Sequence, residues 1–170
     1  MNGDRARITA DLASLRLVAF DVDGVFTDGR FYLSDEGVES KSFSTQDGFG
    51  VRQLLRAGLE VVIISGRRSP AVAQRMQELE IRHVIQGCGD KLHAFNELLA
   101  ALGVDPMECA YVGDDVPDLA LLKHVGFPVA VANAVEEVRS ACQYTTGRAG
   151  GHGAVREVCE LILEAARRRP

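Results

Sequence analysis

The chain has 170 residues, of which 46% are hydrophobic and 25% charged, with a formal net charge of −5. This length predicts a single domain over residues 1–170, and the acidic balance argues against a nucleic-acid-binding protein. No apolar run approaches the roughly 20 residues of a membrane span, and residues 1–13 lack the apolar core of a secretory signal. The widely spaced cysteines indicate reduced thiols in a cytoplasmic protein and no zinc site: Cys88, Cys109, Cys142 and Cys159.

The first predicted elements are a strand and a hairpin. A continuous apolar run at residues 17–20 predicts a buried strand. Two short extended runs at residues 31–33 and 38–43 flank a polar turn that contains Gly37, which predicts a β-hairpin at about residues 27–43. We expect this hairpin to be a small insertion into the main fold.

Strands and helices alternate in the rest of the chain. A helix is expected at about residues 49–57, with Asp47 as a cap and Gly58 at its end. The alternation predicts an α/β fold: a doubly wound, mostly parallel, Rossmann-like sheet with helices on both faces. The later strands are expected at residues 59–64, 83–85, 110–112 and 128–131, and the later helices at 70–79, 91–102, 117–124, 134–141 and 155–168.

Two carboxylates directly follow the first strand, in the sequence Asp21-Val22-Asp23-Gly24. Side chains two positions apart on an extended segment point the same way, so both carboxylates are expected at the end of this strand. Two close anions are costly unless a cation lies between them. The pair therefore predicts a divalent-metal site in which one carboxylate is free to act as nucleophile or acid/base. The alternative is a polar turn after a core strand.

Further chemical groups follow three later strands, and the carboxyl ends of parallel strands meet at one edge of a sheet, where ligands bind. Carboxylates there suit a metal, and a hydroxyl, an ammonium and backbone N–H groups suit phosphoryl oxygens. The sequence therefore predicts a site for Mg²⁺ and a phosphate. The groups are Ser65-Gly66-Arg67 after the second strand, Lys91 after the third, and Asp114, Asp115 and Asp118 after the fourth.

In this order the four motifs resemble those of the haloacid dehalogenase superfamily of phosphohydrolases, and the resemblance extends from Leu17 over nearly the whole chain. It implies that Asp21 attacks phosphorus to form a phosphoaspartate. It implies that Asp23 protonates the leaving oxygen and then activates water. Ser65 and Lys91 would hold the transferring phosphoryl group.

The same resemblance implies how Mg²⁺ would be held. The expected ligands are Asp21, the main-chain carbonyl of Asp23, and Asp114. Asp115 and Asp118 are expected to orient water ligands or Lys91.

Within the superfamily, the resemblance is to phosphatases of an eight-carbon sugar acid phosphate in lipopolysaccharide precursor synthesis. Arg67 directly follows the phosphate-binding hydroxyl and is a candidate for the substrate carboxylate. Arg52 and Arg75 lie on helices that follow two of the loops at the expected ligand-binding edge. The remaining candidate substrate contacts are Asp23, Gly66, Lys91 and the loop Ser44, Thr45, Gln46, Asp47 and Gly48, which resembles the family's substrate loop.

The intervals between the motifs are too short for a cap domain. Because phosphoryl transfer benefits from excluding water, we expect neighbouring subunits to supply a lid. The hairpin carries apolar residues that it cannot bury alone, namely Phe31, Leu33, Val38 and Phe43. A glycine-rich, flexible segment at residues 147–153 is a second candidate for reaching a neighbouring site. The resemblance implies that relatives without a cap domain form tetramers, so a homotetramer is expected.

Three other functions remain open at this stage. A phosphatase for a nine-carbon sugar acid 9-phosphate would use nearly the same motifs. A receiver-like regulatory module also has an acceptor aspartate and a lysine on a doubly wound sheet, but there the acceptor follows a middle strand. A non-catalytic binding domain would not need a chemical group at all four motifs.

Overall fold

The computed structural model describes residues 12–167, and its centre is a six-stranded parallel sheet. The expectations for residues 1–11 and 168–170, including the end of the last helix at residue 168, lie outside the described residues. The strands are β1 (Leu17–Phe20), β4 (Glu60–Ser65), β5 (His83–Gln86), β6 (Cys109–Gly113), β7 (Phe127–Ala130) and β8 (Tyr144–Thr145). Their spatial order is β5-β4-β1-β6-β7-β8, and every neighbouring pair is parallel.

The helices connect these strands. They are α1 (Thr45–Arg56), α2 (Pro70–Glu78), α3 (Lys91–Leu102), α4 (Leu119–Leu122), α5 (Glu136–Ala141) and α6 (Ala154–Arg167). After β5 the chain returns to the other side of β1 and builds β6, so the two halves of the sheet are wound in opposite directions. The predicted doubly wound α/β fold is confirmed.

The central position of β1 in the sheet explains why its sequence is apolar throughout. All four of its residues are buried, because neighbouring strands flank it and helices cover the sheet. Ala19 pairs with Val62 of β4 on one side and with Tyr111 of β6 on the other. The residue that follows β1 is therefore held at the centre of the sheet edge.

The structure corrects the predicted start of the first helix. Helix α1 begins at Thr45 rather than at residue 49, because Ser44 is its N-cap and accepts a hydrogen bond from the Asp47 backbone N–H at 3.4 Å. Asp47, expected to be the cap, lies inside the first turn. Its carboxylate instead accepts a hydrogen bond of 2.8 Å from the backbone N–H of Arg156 in α6.

Two later elements also differ from the sequence prediction. The expected helix at residues 117–124 is a 3₁₀ turn, Val116–Asp118, followed by the single turn of α4. Strand β8 was not predicted, because its two residues are too short to show a period. A second 3₁₀ turn, Pro106–Glu108, leads into β6.

The insertion after β1 is the hairpin of β2 (Tyr32–Leu33) and β3 (Glu39–Ser40), which pair antiparallel. These strands are shorter than predicted. Tyr32 is 72% and Val38 60% exposed, so the apolar outer side of the hairpin is uncovered in one protomer. No cap domain occurs within residues 12–167, and none of the helices described there is long and apolar enough to cross a membrane.

The glycine-rich segment at residues 147–153 packs against the loop that follows β1. The Asn133 side chain donates to the Gly24 carbonyl at 2.9 Å and accepts from the Gly150 N–H at 2.6 Å. The Gly151 N–H donates to the Val25 carbonyl at 3.0 Å. A β-carbon on Gly150 would lie 1.8 Å from the Gly24 carbonyl oxygen, so only glycine fits there.

We expect Gly150→Ala to lower the free energy of unfolding by about 1–3 kcal/mol, because the added methyl group forces the segment away from the loop after β1. Chemical denaturation measures this change. Gly89→Ala is the matched control, since a β-carbon on Gly89 meets nothing within 4 Å. Equal stability of the two variants would contradict the close packing at Gly150.

Candidate active site

The carboxyl ends of β1, β4 and β6 lie side by side at the point where the direction of winding reverses. In open α/β sheets this is where ligands bind. The Asp21 backbone N–H donates to the Val112 carbonyl at 3.0 Å, which continues the pairing of β1 with β6 by one residue. Asp21 is therefore fixed by the sheet itself, and it is buried.

Lys91 joins two buried carboxylates. Its Nζ lies 3.0 Å from Asp21 Oδ1 and 2.7 Å from Asp118 Oδ1. Burial opposes the charge of Lys91, but the two carboxylates outweigh burial and raise the pKa of the ammonium. The lysine is therefore a permanent cation beside Asp21.

Asp118 has no free oxygen. Its Oδ1 accepts from Lys91 and from the Tyr111 hydroxyl, the latter at 2.6 Å. Its Oδ2 accepts from the backbone N–H groups of Asp114 at 3.0 Å and Asp115 at 3.3 Å. These bonds make Asp118 a support for Lys91 and for the loop after β6. Asp115 is exposed and caps the 3₁₀ turn through a hydrogen bond from Val116.

Asp114 lies directly over the loop after β1. Gly24 has a φ of 87°, and a β-carbon there would lie 1.9 Å from Asp114 Oδ2, so glycine is needed for this approach. Asp114 Oδ1 is buried without a hydrogen-bond partner. Burial, followed by the charges of Asp21, Asp118 and Asp115, raises the pKa of Asp114 to about 7. Burial also raises the pKa of Asp21 to about 6, although Lys91 acts in the opposite direction.

This group of carboxylates fits a divalent cation. Oxygens of Asp21, Asp114 and Asp118 lie within 4.8 Å of one another. Since Asp118 is fully engaged, Asp21 and Asp114 are the side chains able to bind a metal, and hard carboxylate oxygens suit Mg²⁺. The unpartnered oxygen of Asp114 and the raised pKa values both indicate negative charge that a cation would neutralise.

Ser65 ends β4 beside this cluster. Its side chain is buried, and its Oγ accepts from the Arg67 N–H at 3.3 Å. Gly66 is exposed, so backbone at this turn is accessible to a ligand. Ser65 ends β4, and Lys91 follows the neighbouring strand β5. A phosphoryl group at this edge of the sheet would therefore meet a hydroxyl and an ammonium.

Asp23 is held by a residue that the sequence analysis did not single out. The Lys41 ammonium pairs with Asp23 Oδ1, and the Lys41 side chain is 0% exposed. Arg67 Nε lies 3.8 Å from Asp23 Oδ2. The only signal in the sequence is the Glu39-x-Lys41 spacing at the end of the hairpin, which places two charges on one face of an extended segment.

The three candidate arginines occupy different places. Arg67 pairs with Glu39 at 2.6 Å and lies over the Phe31 ring, at the mouth of the site. Arg75 lies against the first turn of α1, where a β-carbon on Gly48 would be 2.4 Å from its Nη2, and it pairs with Glu78 at 3.2 Å.

Arg52 is not brought to the site within one protomer. It pairs with Glu80 at 2.7 Å and lines a cavity with Glu60 and Arg82, which lie at the amino ends of β4 and β5. Helix α1 starts at the active edge and runs back along the sheet, so its seventh and later residues lie toward the opposite edge.

The predicted substrate loop is the first turn of α1. Thr45 and Gln46 are exposed at its start. Asp47 and Gly48 are buried, and burial raises the pKa of Asp47. Asp47 therefore joins α1 to α6, and the accessible groups of this loop are those of Thr45 and Gln46.

The fold and site define a hydrolase that transfers phosphoryl groups, and comparison with known proteins agrees. Residues 83–158 match the model of haloacid dehalogenase-like hydrolases. The 3-deoxy-D-manno-octulosonate 8-phosphate phosphatase of Yersinia pestis is 46% identical over 90% of this chain and 82% of its own length. The Escherichia coli K12 phosphatase of the same name is 44% identical over 94% of this chain and 85% of its own.

A solved structure gives the same result. It is the 3-deoxy-D-manno-octulosonate 8-phosphate phosphatase of Moraxella catarrhalis, in complex with magnesium, phosphate and the sugar acid KDO. The TM-score is 0.93 at 45% identity, with 95% of this chain and 92% of that chain covered. The chain belongs to the haloacid dehalogenase-like hydrolases, in the family of the 3-deoxy-D-manno-octulosonate 8-phosphate phosphatases.

We expect the metal-free protein to lose stability as the pH rises from 5 to 8. Asp21 and Asp114 have pKa values of about 6 and about 7 when folded and 3.8 ordinarily, so the folded state binds protons that the unfolded state releases. Each such proton contributes at most about 1.4 kcal/mol per pH unit. Thermal denaturation across this pH range measures the slope.

Two controls accompany this measurement. Asp114→Asn is expected to reduce the slope, because one titrating group is lost. Excess Mg²⁺ is expected to raise the melting temperature and flatten the slope. A metal-free protein whose stability increases with pH over this range would contradict the carboxylate cluster as described.

Proposed function

We propose that this protein is a Mg²⁺-dependent phosphatase that hydrolyses 3-deoxy-D-manno-octulosonate 8-phosphate to 3-deoxy-D-manno-octulosonate and phosphate through a phosphoaspartate. The observation that carries the proposal is the buried Asp21 carboxylate at the sheet edge, 3.0 Å from Lys91 and clustered with Asp114. The relatives named above carry this activity in their names. We propose that the reaction belongs to lipopolysaccharide precursor synthesis, as the sequence resemblance implies.

The first step is attack by an Asp21 oxygen on phosphorus. The P–O bond to the sugar breaks as the bond to Asp21 forms. Lys91 and Ser65 hold the phosphoryl oxygens, which carry the charge of the transition state. Asp21, Asp114 and the carbonyl of Asp23 would hold Mg²⁺, which when bound neutralises charge on the carboxylates and the phosphoryl group.

Asp23 is the proposed general acid of the first step and general base of the second. In the first step it donates a proton to the leaving sugar oxygen, and in the second it accepts one from the water that attacks the phosphoaspartate. Asp118 keeps Lys91 in place through its 2.7 Å contact, and Asp115 shapes the same loop. This division leaves Asp21 as nucleophile and Asp23 as acid/base.

Arg67 is the proposed partner of the sugar carboxylate. It lies at the mouth, and its present partner is the carboxylate of Glu39 at 2.6 Å. A substrate carboxylate would have to exchange with Glu39 for the guanidinium. Arg75, Thr45 and Gln46 are further candidate contacts, whereas Arg52 would act only from a neighbouring subunit.

We also propose a homotetramer in the cytoplasm. The exposed apolar side of the hairpin supports assembly, because patches of this kind mark interfaces. The hairpin would then serve as the lid of a neighbouring site, and a similar role for residues 147–153 stays a prediction. The cysteines are all free thiols, as a reducing compartment would keep them.

We expect phosphate release from 3-deoxy-D-manno-octulosonate 8-phosphate to require Mg²⁺ and to fall by more than about 10³-fold in Asp21→Asn, because the amide cannot form the phosphoaspartate. Steady-state phosphate release measures both effects. The nine-carbon sugar acid 9-phosphate is the competing substrate, and a higher kcat/KM for it would change the assigned substrate. Mg²⁺-dependent turnover retained by Asp21→Asn would contradict the nucleophile.

We expect Val38→Asp to shift the protein from tetramer toward monomer and to lower kcat/KM, because it places a charge on the outer side of the hairpin. Sedimentation velocity at micromolar concentration measures the assembly. Met107→Asp is the control, since Met107 is similarly exposed, at 65% against 60% for Val38, but is far from the hairpin in sequence and fold. A monomeric wild-type protein would overturn the proposed tetramer.

A further inference from the structure

The inner side of the hairpin carries charge where a two-stranded insertion would ordinarily be apolar. Over residues 38–41, which include β3, the side chains alternate: Val38 and Ser40 face solvent, and Glu39 and Lys41 face the active site. Lysine is almost never fully buried unless it is paired. The Lys41 side chain is nevertheless 0% exposed, in an insertion whose neighbouring residues are largely exposed.

The partners of Lys41 explain its burial. Its ammonium pairs with Asp23 Oδ1 and lies 3.7 Å from Glu39 Oε1. The other oxygen, Asp23 Oδ2, is buried and has no hydrogen-bond partner, with Arg67 Nε 3.8 Å away. One oxygen of Asp23 thus pairs with a hairpin lysine, and the second has no hydrogen-bond partner.

We propose that Lys41 is a positioning residue for Asp23. By holding Oδ1, it fixes the orientation of the carboxylate and leaves Oδ2 as the oxygen that exchanges the proton with substrate. This inference rests on the proposed phosphatase function. In the first step the proton passes from Oδ2 to the leaving oxygen as the P–O bond breaks, and in the second Oδ2 accepts a proton from the attacking water.

The proposal predicts a dependence on the leaving group. A sugar alkoxide is a poor leaving group and needs a proton, whereas 4-nitrophenolate leaves without one. The ratio kcat/KM reports on the first step, because it compares free enzyme and substrate with the transition state for transfer to Asp21. Loss of Lys41 should therefore lower kcat/KM for sugar phosphates and spare 4-nitrophenyl phosphate.

The test uses the full chain with Mg²⁺ and three variants. Lys41→Met removes the charge and keeps the stem, Lys41→Arg keeps the charge, and Lys123→Met is a control at an exposed lysine. In Lys41→Met we expect kcat/KM to fall about 100-fold for the best sugar phosphate and less than about 3-fold for 4-nitrophenyl phosphate, the scale of general acid catalysis. Lys41→Arg should recover part of the loss, and Lys123→Met should match wild type.

A double-mutant cycle provides a second readout. In an Asp23→Asn background, Lys41→Met should cause little further loss with sugar phosphates, because the carboxylate that it positions is already gone. Independent, multiplicative losses would overturn the proposal.

Other results would also overturn it. An equal fall for both substrate types would make Lys41 a structural residue of the hairpin. A fall confined to sugar phosphates that bear a carboxylate, with glucose 6-phosphate unaffected, would make it a substrate-binding residue. No change would remove it from the reaction. If 3-deoxy-D-manno-octulosonate 8-phosphate is not hydrolysed by wild type, the proposed substrate fails, and the leaving-group comparison proceeds with the sugar phosphate that is hydrolysed fastest.

Discussion

The structure depends on one electrostatic constraint: three carboxylates share a buried edge with a single ammonium. Lys91 lies between Asp21 and Asp118 at 3.0 and 2.7 Å, and an oxygen of Asp114 lies within 4.8 Å of both carboxylates. One cation cannot neutralise three anions, and burial makes the remainder costly. The raised pKa values of Asp21 and Asp114 express this excess of negative charge, and a divalent metal removes it.

The fold concentrates these charges without strain at the carboxylates themselves. Asp21 follows the central strand, Asp114 and Asp118 follow its neighbour β6, and Ser65 ends its neighbour β4. Because the strands are parallel, their ends meet without long loops. Two glycines permit the close approaches, Gly24 beneath Asp114 and Gly150 against the Gly24 carbonyl.

The sequence was sufficient for the parts of the site that local rules determine. Asp21, Ser65, Lys91 and Asp114 each follow a strand, and strand order alone brings such positions together. Lys41 could not be found in this way, because its role depends on how the hairpin folds back onto Asp23. The assignment of Arg52 failed within one protomer for a related reason: which end of a helix reaches the site depends on the direction of α1. Asp47 has the side chain of a capping residue, but its carboxylate accepts a hydrogen bond from the backbone of α6 rather than from its own helix.

The link through Asn133 has a mechanical consequence. Its amide connects the Gly24 carbonyl to the Gly150 N–H, so the loop after β1 and the glycine-rich segment are joined within a protomer. The hairpin contacts the site through side chains, which include the salt bridges from Lys41 to Asp23 and from Glu39 to Arg67 and the packing of Arg67 on the Phe31 ring. Separating the hairpin from the site would therefore break side-chain contacts, whereas separating the glycine-rich segment from the loop after β1 would also break a backbone hydrogen bond, from Gly151 to Val25.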